Sequence, residues 1–376
     1  MKILIKTLFD IGPFRIYRRI LYEIRKFLEN NSKIIVRVLN PNCFSKTPTW
    51  VLGKDFSNID IPSRNLNLNN QNTIKFKFLN EEKDLNFPFQ WSKKKWLKLW
   101  QFNLHYFEWS RQCIDEFLKY NNWPDNSYFI AHCIDDWIEK NPIGIGDGWH
   151  SYTTSLRIRN WVWIFRVSPK MKNKKRIDSL WKQINWLNNH LETHHGGNHL
   201  VENLCSLLIG SLQFEGTKAS SIYNNSLRKL KLELSSQILS DGGHEERSAV
   251  YTLLILDRLI EVACILSLNN KGKPEWLLII IKSNLSSLYP LFKTPNTGTN
   301  NSACPGGNCM PPPEGRTFRL DNATVVEPEG LKPLLEPILS ELINSGKLVL
   351  VARLGRPSSW LIQATRKAEG YGNSEQ

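Results

Sequence analysis

The 376-residue sequence has no paired Cys-x-x-Cys framework, no His-Glu-x-x-His motif and no histidine after His244. Its seven cysteines, at 43, 113, 133, 205, 264, 304 and 309, are scattered and odd in number. That excludes a disulfide scaffold. Cys133, Cys205 and Cys264 sit among apolar residues and read as core thiols. Cys304 and Cys309 form a lone pair, a poor basis for a metal site. No apolar run approaches the roughly 20 residues that a spanning helix needs. The N-terminus does not read as a signal peptide, because Ile3–Phe9 is interrupted by Lys6 and Thr7 and followed by Asp10 and Pro13. Without an export signal the default expectation is a cytoplasmic location, with a periplasmic one as the alternative. No fixed-period repeat is evident, so a solenoid of identical units is not supported. No basic–aromatic motif of a nucleic-acid module is evident, and no nucleic-acid partner is expected.

Lysine and arginine outnumber aspartate and glutamate by 49 to 35, a formal charge of +14. That excess favours an acidic partner, a polyanionic glycan, a nucleic acid or a membrane surface, and charge alone does not choose among them. Fourteen tryptophans are many for this length, and most lie between Trp91 and Trp186. Residues 14–29 form a basic amphipathic pattern that suits either an anionic membrane surface or packing on the parent domain. Residues 30–85 are Asn-rich and irregular, with an alternating run at Thr73–Phe78. From about residue 88 the apolar spacing is helical. Helices are expected at 125–140, 151–167, 175–193, 199–214, 221–239, 245–268 and 274–288. Short loops between them indicate an all-α layered or toroidal array of antiparallel helices. The composition changes after about 290, where 294–315 has linker character, 331–345 a helical pattern and 347–353 a strand pattern. The chain therefore divides into 1–87, 88–290 and a short irregular tail, 291–376.

Two stretches concentrate chemistry-bearing residues: Gly196-Gly-Asn-His-Leu-Val-Glu-Asn203 and Asp241-Gly-Gly-His-Glu-Glu-Arg-Ser-Ala-Val-Tyr251. Each breaks the chain with Gly-Gly and then enters an apolar helix, whose first turn has unpaired N–H groups suited to an anion. Helical spacing puts Asn198 with Glu202 on one face and His199 with Asn203 on another. In the second stretch His244, Ser248 and Tyr251 make one polar stripe, with Arg247 one turn before Tyr251. Trp149, Tyr152 and Trp161, near Arg157 and Arg159, are candidates to line a sugar cleft through their flat ring faces. Trp96 and Trp100 read as interhelical packing. His190 and His194 could join His195 and His199 as metal ligands, but the Gly-Gly break intervenes, and a solvated helix end is the better reading.

Together with Gln101-Phe-Asn-Leu-His-Tyr-Phe107 and Ser155-Leu-Arg-Ile-Arg-Asn-Trp161, these motifs resemble the heparinase II/III-like polysaccharide lyases over about 90–290. The resemblance implies an α/α toroid followed by a β-sandwich that closes one side of the cleft. It implies β-elimination on an acidic polysaccharide. Asn198 then matches the contact to the substrate carboxylate, His199 the adjacent site histidine, Glu202 a site carboxylate and Tyr251 the catalytic tyrosine. Such lyases draw a further histidine, and often a metal, from the sandwich. Residues 291–376 do not resemble that domain, so the toroid is expected to be incomplete, with no cofactor and no metal.

The chemistry explains the residue types. The C5 proton of a uronate is very weakly acidic while its carboxylate keeps full charge, so the site must neutralise that charge. Asn198, His199 and Arg247 are the candidates. A tyrosine beside cations can act as base and then acid, the role expected of Tyr251. Arg157, Trp149, Tyr152, Trp161, His244 and Arg247 are the expected substrate-binding residues. The alternative function is a glycan-binding toroid without turnover.

Overall fold

A computed structural model describes residues 13–51, 73–110, 127–167, 171–194, 196–292, 349–351 and 363–365. The fold is all-α, an α/α toroid of antiparallel helices. In chain order the elements are α1 (Pro13–Asn31), α2 (Lys33–Leu39), a hairpin of β1 (Thr73–Phe78) and β2 (Glu81–Asn86), and α3 (Lys98–Tyr106). Then follow α4 (Ser127–Lys140), α5 (Ser151–Val167), α6 (Lys174–Asn189), α7 (Gly197–Ser211), α8 (Thr217–Gln237), α9 (Ala249–Leu268) and α10 (Glu275–Phe292). A short pair, β3 (Val349–Val351) and β4 (Gln363–Thr365), is antiparallel.

The helices alternate between two layers. α3, α5, α7 and α9 pack successively on one another, and α6, α8 and α10 pack against them from outside. The sequence accounts for this division. α7 is buried continuously from Leu200 to Ser211, and α9 nearly so from Ile255 to Leu266. A helix that is apolar all round belongs inside. α8 buries only one stripe, including Ala219, Ile222, Leu230 and Leu234, and shows water its other side. Trp100, Trp137, Trp161 and Trp181 are completely buried in this core.

Charged residues inside the inner layer are paired there. Arg159 on α5 donates to Glu202 on α7 at 2.8 Å and to Glu261 on α9 at 2.7 Å. Arg258 on α9 reaches both Glu202 and its neighbour Asp257, and the Trp163 indole donates to Glu261. Two guanidiniums thus meet three carboxylates and tie three inner helices together.

Most expected helices are present within a few residues. Helix α9 begins at Ala249 rather than 245, because Arg247 takes a left-handed φ of 51° and closes a turn instead. The irregular reading of 30–85 missed α2, which Ser32 caps by accepting from the Ile35 N–H at 3.3 Å. The alternating run 73–78 is β1, joined to β2 through Leu79-Asn80, both at positive φ as a tight hairpin requires. Phe76 and Leu85 point from this hairpin into the core. Cys133, Cys205 and Cys264 are buried free thiols, as expected, and so is Cys43. The expected strand 347–353 is realised as β3, but the expected helix 331–345 and linker 294–315 lie outside the described residues.

Candidate functional site

The two Gly-Gly breaks meet. Gly196 and Gly197 take φ of 63° and 58°, left-handed values that glycine adopts without strain. They turn the chain into α7, whose N-terminus no side chain caps. A Cβ on Gly197 would lie 3.7 Å from Oε1 of Glu246, so this helix start adjoins the turn 241–248. The turn is built by backbone bonds from Glu245 N to Gln237 O at 2.7 Å and from Leu239 N to Gly243 O at 2.9 Å.

His199 is the centre of the arrangement. Its Nδ1 lies 3.2 Å from Oε1 of Glu192, and its ring packs on Tyr152 with centroids 4.5 Å apart. Burial alone would lower its pKa, but the hydrogen bond and charge of Glu192, with the charges of Glu202 and Glu246, raise it above the ordinary value. The side chain stays 40% accessible, so this imidazole can meet a ligand. Glu192 is buried. Burial opposes its charge, yet His199, the charge of His150 and Asn203 hold its carboxyl below the usual range. Asn203 grips it twice, accepting from the Glu192 N–H at 2.9 Å and donating to its Oε2 at 3.2 Å. His199 and Asn203 therefore share one helix face, as their spacing requires.

Asn198, half-buried in the first turn of α7, has no side-chain hydrogen bond among the described residues, so its amide is open to a ligand. Tyr251 is also half-buried, its ring centroid 6.0 Å from that of His244, and its hydroxyl has no partner among the described residues. Beside the site a cavity of about 340 Å³ is lined by Tyr22, Lys26, Lys98, Gly146, His150 and His190, among others. Nδ1 of His150 is buried without a hydrogen-bond partner. His150 and Ser151 face this cavity, and the next residue, Tyr152, faces His199.

Several expected site residues stand elsewhere. Glu202 is not free for proton transfer: Arg159 and Arg258 hold its carboxylate, and Ser206 donates to it at 3.2 Å. Burial pushes its pKa up, and the two guanidiniums overcome that and bring it down to about 2. Arg157 is buried against Trp137, 3.8 Å from the ring centroid, and donates to Gln183 at 2.8 Å and to the His105 carbonyl at 3.3 Å. Burial drives its pKa well below the usual guanidinium value. Trp161 is a core residue between Phe107 and Trp137. Trp149 is nearly all buried against Trp137 and Trp186, with only an edge at the cavity. These residues fell inward because α5 is an inner helix, buried on nearly every side.

His244 is buried and structural. Its Nε2 meets Gln237 at 3.1 Å and its Nδ1 accepts from the Glu246 N–H at 3.2 Å, which shapes the turn. Arg247 is exposed on that turn, not one helical turn before Tyr251. His190 is not a solvated helix end: it is buried, stacked on Trp186, with Nε2 2.8 Å from Glu29. His194 packs on the Tyr22 ring at 4.2 Å. Trp96 and Trp100 do pack on each other, at 5.0 Å. No group of three or more His, Cys, Asp or Glu side chains among the described residues could hold a metal ion.

Sequence reasoning missed Glu192, Glu246 and His150, and named Asn203 only as sharing a helix face with His199. Asn203 stood in a quoted motif, and Glu192 lies just before the Gly-Gly break. The signal for Glu261, Asp257 and Arg258 was their place in an otherwise wholly apolar helix, where a charge must find a partner.

Comparison with known proteins places this geometry in context. The family described as heparinase II/III N-terminus matches residues 55–275. Among solved structures, heparan sulfate lyase HepC from Pedobacter heparinus is similar at 14% identity and TM-score 0.45, over 69% of this chain and 44% of that one. A heparinase III structure is similar at 18% identity and TM-score 0.44, over 67% of this chain and 42% of that one. The chain thus spans less than half the length of these structures. No curated protein matches.

Proposed function

This chain belongs to the heparinase II/III N-terminus family, and from that premise we propose that its site serves β-elimination on a uronate-containing polysaccharide. The supporting observation is the half-exposed His199 imidazole, held by Glu192 beside the uncapped start of α7. In this reading the uronate carboxylate sits against His199, the Asn198 amide and the first N–H groups of α7. Those donors draw off the negative charge and stabilise the enolate-like intermediate. Tyr251 is the base that takes the C5 proton. The C4–O bond then breaks, a C4–C5 double bond forms, and the same proton passes to the leaving glycosidic oxygen. Tyr152 sets the plane of the His199 ring. The cavity of Lys26, Lys98 and His150 takes the neighbouring acidic sugar. No step is assigned to a metal or cofactor.

The test is ultraviolet absorbance of the conjugated uronate product across a panel of polyuronates, with Tyr251→Phe as control. Turnover by the wild type, abolished in the variant with glycan affinity kept, supports the reading. Glycan binding without any absorbance change would make the chain a binding toroid instead.

A further inference from the structure

Helix α1 is amphipathic, and it is seated the reverse of an ordinary surface helix. Its polar side faces the protein. Arg25 bonds Glu29 at 3.0 Å, Asn40 at 2.9 Å and the Asn189 carbonyl at 3.2 Å. Glu29 is buried there, also accepting from Asn40 at 2.8 Å and meeting His190. Tyr22 packs inward on His194. The apolar side faces out: Tyr17 is 58% exposed, Ile24 52% and Phe27 68%, with Ile20, Leu21 and Leu28 on the same stripe. Helix α2 also shows apolar side chains to the outside, Ile34 at 77% and Val38 at 69% exposed. Six large apolar side chains exposed along one helix face mark a contact site rather than a chance exposure.

Cations rim the stripe. Lys33 and Arg37 are exposed on α2, next to Ile34 and Val38. The α1 carboxylates do not oppose them: Glu23 is held by Arg19 at 2.5 Å and Glu29 is buried. No helix among the described residues is long and apolar enough to cross a membrane. A basic-rimmed apolar stripe too short to span suits a helix lying in the plane of an interface, with apolar side chains at the acyl boundary and cations among the headgroups. We propose that α1 and α2 dock this protein on an anionic lipid bilayer surface. Charge complementarity selects that occupant: a bilayer offers apolar depth and a sheet of negative charge along the whole length of the stripe. This inference does not depend on the lyase reading.

The experiment is co-sedimentation of the full chain with vesicles of equal parts phosphatidylglycerol and phosphatidylcholine, against vesicles of phosphatidylcholine alone. Binding is expected to the anionic vesicles and to fall as salt rises. The double variant I24E/F27E should lower partition by roughly tenfold or more, because two exposed apolar side chains lose their burial in the bilayer. A second variant, K33E/R37E, should weaken binding to anionic vesicles while thermal unfolding stays unchanged, since both side chains are exposed. Failure of the full chain to bind anionic vesicles would overturn the proposal. So would undiminished binding by both variants. A dimer that I24E/F27E converts to monomer, without vesicle binding, would instead assign the stripe to a second copy and also overturn it.

Discussion

Glu192 and His199 stand on opposite sides of the Gly196-Gly197 break, and the break folds them together at 3.2 Å. The carboxylate comes from the segment after α6 and the imidazole from the first turn of α7. Asn203, one turn further along, holds the other carboxylate oxygen. The fold thus presents, at a surface that remains accessible, an imidazole whose protonated form its neighbours favour.

Replacing Glu192 by Gln removes the main support for that protonated form. The His199 pKa, raised in the folded protein, should fall. Because folding favours the imidazolium, its contribution to stability is whole below the ordinary value of about 6.5 and fades as pH rises through the higher folded value. In Glu192→Gln that alkaline loss should shrink, and any lyase activity should disappear at lower pH than in the wild type. An NMR titration of the His199 ring checks the first statement; an unchanged midpoint would refute it.

Glu202→Gln should destabilise the protein by about 3–5 kcal/mol, because two buried guanidiniums lose a shared carboxylate. The Glu202 carboxyl lies at about 2 in the folded protein. Its contribution is therefore present above the unfolded value of about 4.3 and is lost as pH falls toward 2. Urea unfolding at neutral and acid pH measures both. A loss below about 1 kcal/mol at neutral pH would contradict the buried-network reading.

Asn198→Ala removes an amide with no structural partner, so stability should change little. If the amide helps to neutralise the substrate carboxylate, turnover should fall by about 10²–10³-fold. Equal fall of glycan binding and turnover would make Asn198 a ground-state contact only.

Arg157→Met tests the correction to the expected binding residues. A buried arginine stacked on Trp137 cannot reach a polysaccharide, so glycan affinity per folded molecule should not change. Stability is the quantity that should respond, because Gln183 and the His105 carbonyl lose their donor. Isothermal titration beside thermal unfolding separates the two; weakened binding without destabilisation would return Arg157 to the cleft.

The helices were legible in the sequence because apolar spacing is local. So was the association of Asn198 and His199 with a break and a helix start. Which side each aromatic and arginine faced was not legible. Arg157, Arg159 and Trp161 share one helix with Tyr152, and only the packing of α3, α7 and α9 around α5 decides that Tyr152 alone meets His199. Glu192 could not be singled out, since its pairing depends on left-handed turns at two glycines. His244 looked like a site residue by type, but the turn 241–248 needs an acceptor at Nδ1 and uses it first.

The turn carrying Glu246 is anchored from outside the site. A Cβ on Gly242, at φ 83°, would collide with the Ser283 carbonyl, and Asn284 donates to the Gly242 carbonyl at 2.7 Å. Helix α10 therefore acts as a keystone, though it contributes no group to the site. A chain cut after residue 292 should keep the turn seated, whereas one cut after 281 would retain every candidate site residue and lose their alignment. Amide exchange at Gly243, whose N–H bonds Asp241 at 2.8 Å, should accelerate only in the shorter chain. The reach of the site along the sequence is thus set by a support more than thirty residues beyond Tyr251.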